Sequence, residues 1–191
     1  MHKVLEKISI AEYLEKERIS SNRAEFIQGE KRKLTGASYN HNSIVANLLF
    51  IIKKKMVKEK FKVLSSDMKV WVPTKETFYY PDVLVIPNPP KFHDEFKDIV
   101  TNPICIFEVL SESTRNFDKS EKFDTYKSIT GFQEYYLVEQ SKKIVIQYII
   151  NSKGNWELTE HKNPEGTFSL PSLNIDITMS EIYEGVDIEK P

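Results

Sequence analysis

Two acidic residues stand where acids are costly. Asp82 opens the apolar run Val83-Leu84-Val85-Ile86, and Glu108 interrupts Ile104-Cys105-Ile106-Phe107 and Val109-Leu110, the most apolar stretch of the chain. An ionised carboxylate in a covered strand is unfavourable unless something compensates it. A divalent cation is one compensation, because hard cations take oxygen ligands, and two carboxylates with water and phosphate suit Mg²⁺. Hydrogen bonding at strand ends, with no metal, is the other, and residue types alone leave both open. Beyond Glu108, Ser111, Ser113 and Thr114 lead through Arg115 to a helical segment carrying Lys122 and Tyr126. Residues four apart share a helix face, so both can point one way. An ammonium beside metal-bound carboxylates orients or activates water, or stabilises charge on the phosphorane. Taken alone, Lys122 reads more readily as a surface lysine.

Other chemistries find less support. His41, in the first turn of a helix, is a candidate base or phosphate contact, or a structural histidine. His2, His93 and His161 lack ligand spacing, which argues against a histidine zinc site. The serines have no histidine near them in sequence, so a hydrolase triad is not indicated. No glycine loop suited to phosphates is present, which argues against a nucleotide cofactor.

The elements that must position these groups follow from periodicity. Ser9 and Glu12 form a capping-box pattern for a helix over residues 10–17. Residues 24–28 and 31–34 read as a hairpin around Gly29-Glu30. Ser38 or Asn40 caps the next helix, where Ile44, Val45, Leu48, Leu49, Ile52 and Met56 form an apolar stripe. Its other face carries Lys53, Lys54, Lys55 and Lys58, a solvated face or a nucleic-acid contact. Strands are expected over residues 69–72 and, after a break at 73–76, over 79–86 as one strand. Residues 87–103 read as a long loop. The continuous apolar run 104–110 marks a strand covered on both faces. Asp118 with Glu121 suggests a second capping box, opening a helix to about residue 129 that Gly131 stops. A hairpin over 134–139 and 144–150, a strand over 156–160 and a short helix over 178–183 complete the reading. No repeat or linker is visible, so residues 1–191 read as one mixed α/β domain.

Composition narrows the class. Hydrophobic residues at 40% and charged residues at 29% fit a soluble globular chain, and 12% aromatics favour strands over a helical bundle. Cys105 is the only cysteine, which removes an intramolecular disulfide and a cysteine zinc cluster and suggests a reducing compartment. The charged N-terminus from Met1 to Lys7 does not read as a leader peptide, and no run approaches the roughly 20 apolar residues of a membrane span, so the cytoplasm is expected. A net charge of −1 disfavours a protein that merely coats nucleic acid. A nuclease with a local basic groove and an acidic metal site fits it.

The ordered runs carry a resemblance. Tyr80-Pro81-Asp82-Val83-Leu84-Val85-Ile86, then Phe107-Glu108-Val109-Leu110-Ser111-Glu112-Ser113-Thr114-Arg115, then Asp118, Lys122 and Tyr126, then Glu134-Tyr135-Tyr136-Leu137-Val138 resemble the bacterial "putative restriction endonuclease" family, a branch of the PD-(D/E)XK nuclease superfamily. Glu25 with Ile27 and Gly29-Glu30, His41 with Ile44 and Asn47-Leu48, Asp67, and Leu170-Pro171-Ser172-Leu173 as a closing strand extend it over nearly the whole chain. The resemblance implies a restriction-endonuclease-like core, a central mixed sheet flanked by helices. It implies Mg²⁺- or Mn²⁺-dependent hydrolysis of DNA, with Asp82 and Glu108 as metal-ligating acids, Lys122 as the catalytic lysine and Glu25 completing the acidic cluster. His41, Asp67 and Tyr126 would support them. The superfamily places its lysine two residues after the glutamate, where this chain has Leu110; the branch carries it on the following helix, which maps to Lys122. The family also has proline where this chain has Glu112. DNA is the expected partner and a homodimer the expected assembly, with no membrane. A catalytically inactive nuclease fold serving as a binding module is the alternative, because fold resemblance does not establish activity.

Overall fold

The computed structural model describes residues 7–65 and 67–188, so the expectation drawn from Met1 to Glu6 lies outside the described residues. The apolar run around Glu108 forms β8 (Cys105–Leu110), all of it buried. Successive strand residues face opposite sides: Cys105, Phe107 and Val109 enter one core, Ile106 and Leu110 another. Glu108 therefore points to the side of Ile106 and Leu110. β8 pairs parallel with β9 (Glu134–Glu139) and antiparallel with β6 (Val83–Pro87). With β3 (Phe61–Ser65), β10 (Val145–Ile150) and β11 (Trp156–His161) they form a six-stranded mixed sheet of order β11-β10-β9-β8-β6-β3.

Helices cover both faces of that sheet. On the first lies α2 (Tyr39–Lys55), capped by Ser38, whose side chain accepts from the His41 N–H. Ile44, Val45, Leu48, Ile51 and Ile52 are buried against Val83, Val85 and Phe107. Each such aliphatic side chain stabilises the fold by roughly 1.5–3 kcal/mol. The expected stripe thus gains Ile51, while Leu49 is only partly buried. Lys53 and Lys54 face solvent, and Lys55 pairs with Glu181 at 2.6 Å. The opposite face receives a helical run of three parts: α3 (Arg115–Phe117), a π-helical turn (Asp118–Lys122) and α4 (Phe123–Tyr126). Phe123 and Tyr126 pack there on Ile106, Leu110, Tyr135 and Leu137.

The capping box expected at Asp118 is not formed. An N-cap needs an extended backbone, whereas Asp118 has φ −65° and ψ −36° and sits inside a run already helical from Arg115. Ser111 and Thr114, bonded hydroxyl to hydroxyl at 3.0 Å, lead into that run instead. The strand expected over residues 79–86 also divides. β5 (Thr77–Tyr79) belongs to a second sheet, and the chain crosses at Tyr80, Pro81 and Asp82 before β6 begins. Pro81 has no N–H for a ladder, which suits a crossing between sheets.

The second sheet has five strands: β1 (Ala24–Ile27), β2 (Glu30–Lys33), β4 (Lys69–Val72), β5 and β7 (Ile99–Val100), in the order β2-β1-β5-β4-β7. The β1–β2 hairpin closes on Gln28 and Gly29, at φ 50° and 97°, the left-handed pair that a two-residue hairpin loop requires. Helix α1 (Ile10–Ile19), capped by Ser9, buries Tyr13 against Phe26 and Phe78 of this sheet. The long loop over 87–103 contains β7, which the sequence pattern had not marked. β3 was unmarked too, as were the paired strands β12 (Thr167–Leu170) and β13 (Ile175–Thr178). The closing strand ends at Leu170; Pro171, Ser172 and Leu173 form a turn, with Leu173 buried. Thr178 caps the short helix α5 (Met179–Ile182) in a full capping box. Among the described residues no helix is long and apolar enough to cross a membrane.

Candidate active site

Strand register brings the two acids together. Val83 pairs with Phe107 in the antiparallel β6–β8 ladder, so Asp82 falls opposite Glu108 one step on. The Val109 N–H donates to Asp82 Oδ2 at 2.7 Å, and the Asp82 N–H lies 3.4 Å from Glu108 Oε2. From the helical run above, Lys122 Nζ reaches to 2.9 Å from Glu108 Oε1, and the Tyr126 hydroxyl donates to the same oxygen at 3.1 Å. Lys122 and Tyr126 thus share a face, as their spacing requires. Lys122 is buried, not superficial, and its Nζ also stands 3.2 Å from Glu25 Oε1 and 3.6 Å from Asp118 Oδ1. Glu25 arrives from β1 of the other sheet and additionally accepts from the Tyr80 N–H at 3.4 Å. The ring of Tyr79 lies beneath the ammonium, 5.4 Å from Nζ to its centroid.

His41 approaches from the first turn of α2, its Nε2 3.1 Å from Asp82 Oδ1. Asp67 does not join the group. Its side chain is 90% exposed and pairs with Arg23 at 2.8 Å. Asp118, read from sequence as a helix cap and as one of the residues carrying the resemblance but given no site role, is a buried acid of the cluster. Its i,i+4 relation to Lys122 was the available signal, because that spacing permits an ion pair as well as a capping role. Asp82, Glu108, Asp118, Lys122, His41 and the residues Ser111 and Thr114 line one cleft of about 410 Å³.

Charge in the cleft is unbalanced. Burial raises the Glu108 pKa well above the usual carboxylate range; Lys122 opposes that rise, and Asp82 and Asp118 add to it. The neighbouring carboxylates are therefore a lesser cause than desolvation. Burial alone would lower Lys122, but Glu108, Glu25 and Asp118 outweigh it and hold the ammonium charged. For His41, too, burial is outweighed, here by the bond to Asp82, the Val109 backbone and the charge of Asp118, so its pKa rises. Four acids thus face Lys122 and His41, an acidic surplus that a divalent cation suits.

The donor set fits such a cation in part. Among the described residues no three His, Cys, Asp or Glu side chains are grouped to hold a metal ion by themselves. Asp82 and Glu108 offer two hard carboxylates on adjacent strands and leave the other positions to water and phosphate, the mode Mg²⁺ prefers. Position 110 cannot supply the ammonium without cost, since Leu110 is fully buried in the apolar core beside Ile106. Leu110→Lys is therefore expected to lose about 3 kcal/mol or more, by the penalty for an ill-paired buried charge. A urea titration showing wild-type stability would refute it.

A mixed sheet with an acid before one strand, an acid within its neighbour and helices on both faces defines a restriction-endonuclease-like fold. The family described as "Putative restriction endonuclease" (Uma2) matches residues 10–180, and the chain belongs to it. A protein of Synechocystis sp. (strain ATCC 27184 / PCC 6803 / Kazusa), described as uncharacterized protein sll1609, is 40% identical over 168 residues, covering 87% of this chain and 95% of its own. A second from the same organism, uncharacterized protein slr1290, is 26% identical over 180 residues, covering 94% and 93%. The crystal structure of a "putative nuclease belonging to DUF820" from Anabaena variabilis ATCC 29413 superposes with a TM-score of 0.76 over 94% of this chain and 99% of that one, at 16% identity. That likeness establishes the fold.

Proposed function

We propose that this chain is a metal-dependent endonuclease that hydrolyses DNA phosphodiester bonds. The observation that carries this reading is the convergence of Lys122 on Glu108 at 2.9 Å, with Asp82 directly across the strand pair. Mg²⁺ or Mn²⁺ held by Asp82 and Glu108 would supply a charge sink for the scissile phosphate and acidify water. The chain's own groups do the rest. The Lys122 ammonium, fixed by Glu25 and Glu108, meets negative charge growing on the phosphate oxygens; preorganised charge of this kind is effective in a dry site. Tyr126 holds Glu108 in place by its hydroxyl bond, and His41 does the same for Asp82. The hydroxyls of Ser111 and Thr114 at the cleft wall offer contacts to flanking phosphates. DNA is accordingly the partner, the cytoplasm the compartment and a homodimer the assembly in this reading.

The alternative is an inactive nuclease fold serving as a binding module. What favours it is the mutual satisfaction of the acids, since Asp82 and Glu108 already accept bonds from each other's strand. Cleavage of plasmid and single-stranded DNA with Mg²⁺ or Mn²⁺ decides between them. The wild type is expected to cut, with Asp82→Asn at background. No cutting with either metal, or an Asp82→Asn variant as active as wild type, would overturn the nuclease reading.

A further inference from the structure

The cleft holds one carboxylate whose place the mechanism above does not use. Asp82 accepts from the Val109 N–H and lies against His41 Nε2. Glu108 accepts from Tyr126 and meets Lys122. Glu25 accepts from the Tyr80 N–H and also meets Lys122. Asp118 is as deeply buried, its side chain 5% exposed; its backbone carbonyl accepts from the Tyr135 hydroxyl at 2.9 Å, yet among the described residues its carboxylate accepts no hydrogen bond. Its nearest charged group, Lys122 Nζ, stands 3.6 Å away, beyond hydrogen-bond reach. The Asp118 carboxylate oxygens are not among the sealed, unpartnered polar atoms of the described residues; they open onto the cleft, where a water can reach them. Asp118 also opens a π-helical turn, a local geometry frequent at functional sites, and it borders the same cleft as Asp82, Glu108 and Lys122.

We propose that Asp118 is a further catalytic residue, the group that takes a proton from the water attacking the phosphate. The inference rests on the nuclease reading and deepens it. Neither other candidate is free for the task. The Lys122 ammonium faces three carboxylates and carries no lone pair. His41 Nε2 is engaged with Asp82 at 3.1 Å. Of the carboxylates that line the cleft among the described residues, Asp118 is the one with no hydrogen-bond donor upon its oxygens. In the step, the water oxygen bonds to phosphorus as the bond from phosphorus to the leaving sugar oxygen breaks. One water proton passes to an Asp118 carboxylate oxygen, and the leaving oxygen takes a proton from solvent. Asp118 then returns its own proton to solvent.

Single-turnover cleavage by the full chain tests the assignment. Asp118→Asn keeps the shape and removes the base, so the rate should fall by about 10²–10⁴, the usual contribution of a positioned base, while substrate affinity stays within about threefold. Asp118→Ala opens space for a small carboxylate, and added formate should restore part of its activity, which a purely structural role would not allow. If the wild type cuts and Asp118→Asn cuts within about tenfold of it, this proposal fails while the nuclease reading stands. Loss of activity in Asp118→Ala without formate rescue would likewise overturn it. A wild type that cuts nothing with either metal removes both.

Discussion

Replacing Lys122 by methionine is expected to lower stability by about 3–5 kcal/mol, the scale for stripping one partner from a buried ion pair, and to abolish cleavage. The side chain is 7% exposed and its ammonium stands within 3.6 Å of Glu25, Glu108 and Asp118. Methionine leaves these acids facing one another without a counter-charge. The loss should depend on pH in a stated direction. Burial already raises the Glu108 pKa, and removing Lys122 raises it further. A carboxyl with a raised folded pKa disfavours the fold above that pKa and ceases to do so below its unfolded value. The deficit of Lys122→Met should therefore be full above the raised pKa and shrink as pH falls from there towards the unfolded carboxylate value. Adding Glu108→Gln to Lys122→Met should recover part of the stability and none of the activity. Urea titrations of both variants at neutral and acid pH measure this. A wild-type unfolding midpoint for Lys122→Met would show that the cluster does not depend on its cation.

Glu108→Gln alone is expected to do the reverse, keeping the fold and losing cation binding. Its Oε1 can still accept from Tyr126 and Lys122, and the amide is neutral where burial opposes charge. Stability should be unchanged or slightly higher, since a neutral group replaces one whose ionisation burial disfavours. The cation, however, would lose one of two hard ligands, so affinity for Mn²⁺ should fall by about tenfold or more, roughly 1.4 kcal/mol or above. Calorimetric titration of Mn²⁺ into wild type and Glu108→Gln reads it directly. Equal affinities would take Glu108 out of the ligand set, and with it the main reason for placing a metal there.

Much of the scaffold was already legible in the chain, because local rules act locally. The continuous apolar run of β8, the apolar stripe of α2 and the caps at Ser9 and Ser38 each depend on a few neighbouring residues, as does the hairpin turn at Gly29, which falls on Gln28-Gly29, one residue earlier than the Gly29-Glu30 expected. Glu108 and Asp82 stood out for the same kind of reason, an acid amid apolar residues being costly wherever the run folds. Tertiary structure decided what such rules do not reach. Residues 77–79 and 83–87 are equally strand-like, and only packing sends them to different sheets. The D-x-x-E pattern at Asp118 matches a cap, but the helix had begun at Arg115 and turned that carboxylate inward. Glu25 and Lys122, 97 positions apart, meet at 3.2 Å because two sheets and one helix converge there. Periodicity settles which face a side chain takes; whether opposite charges then meet, and how far from water, depends on contacts between distant segments that local spacing does not encode.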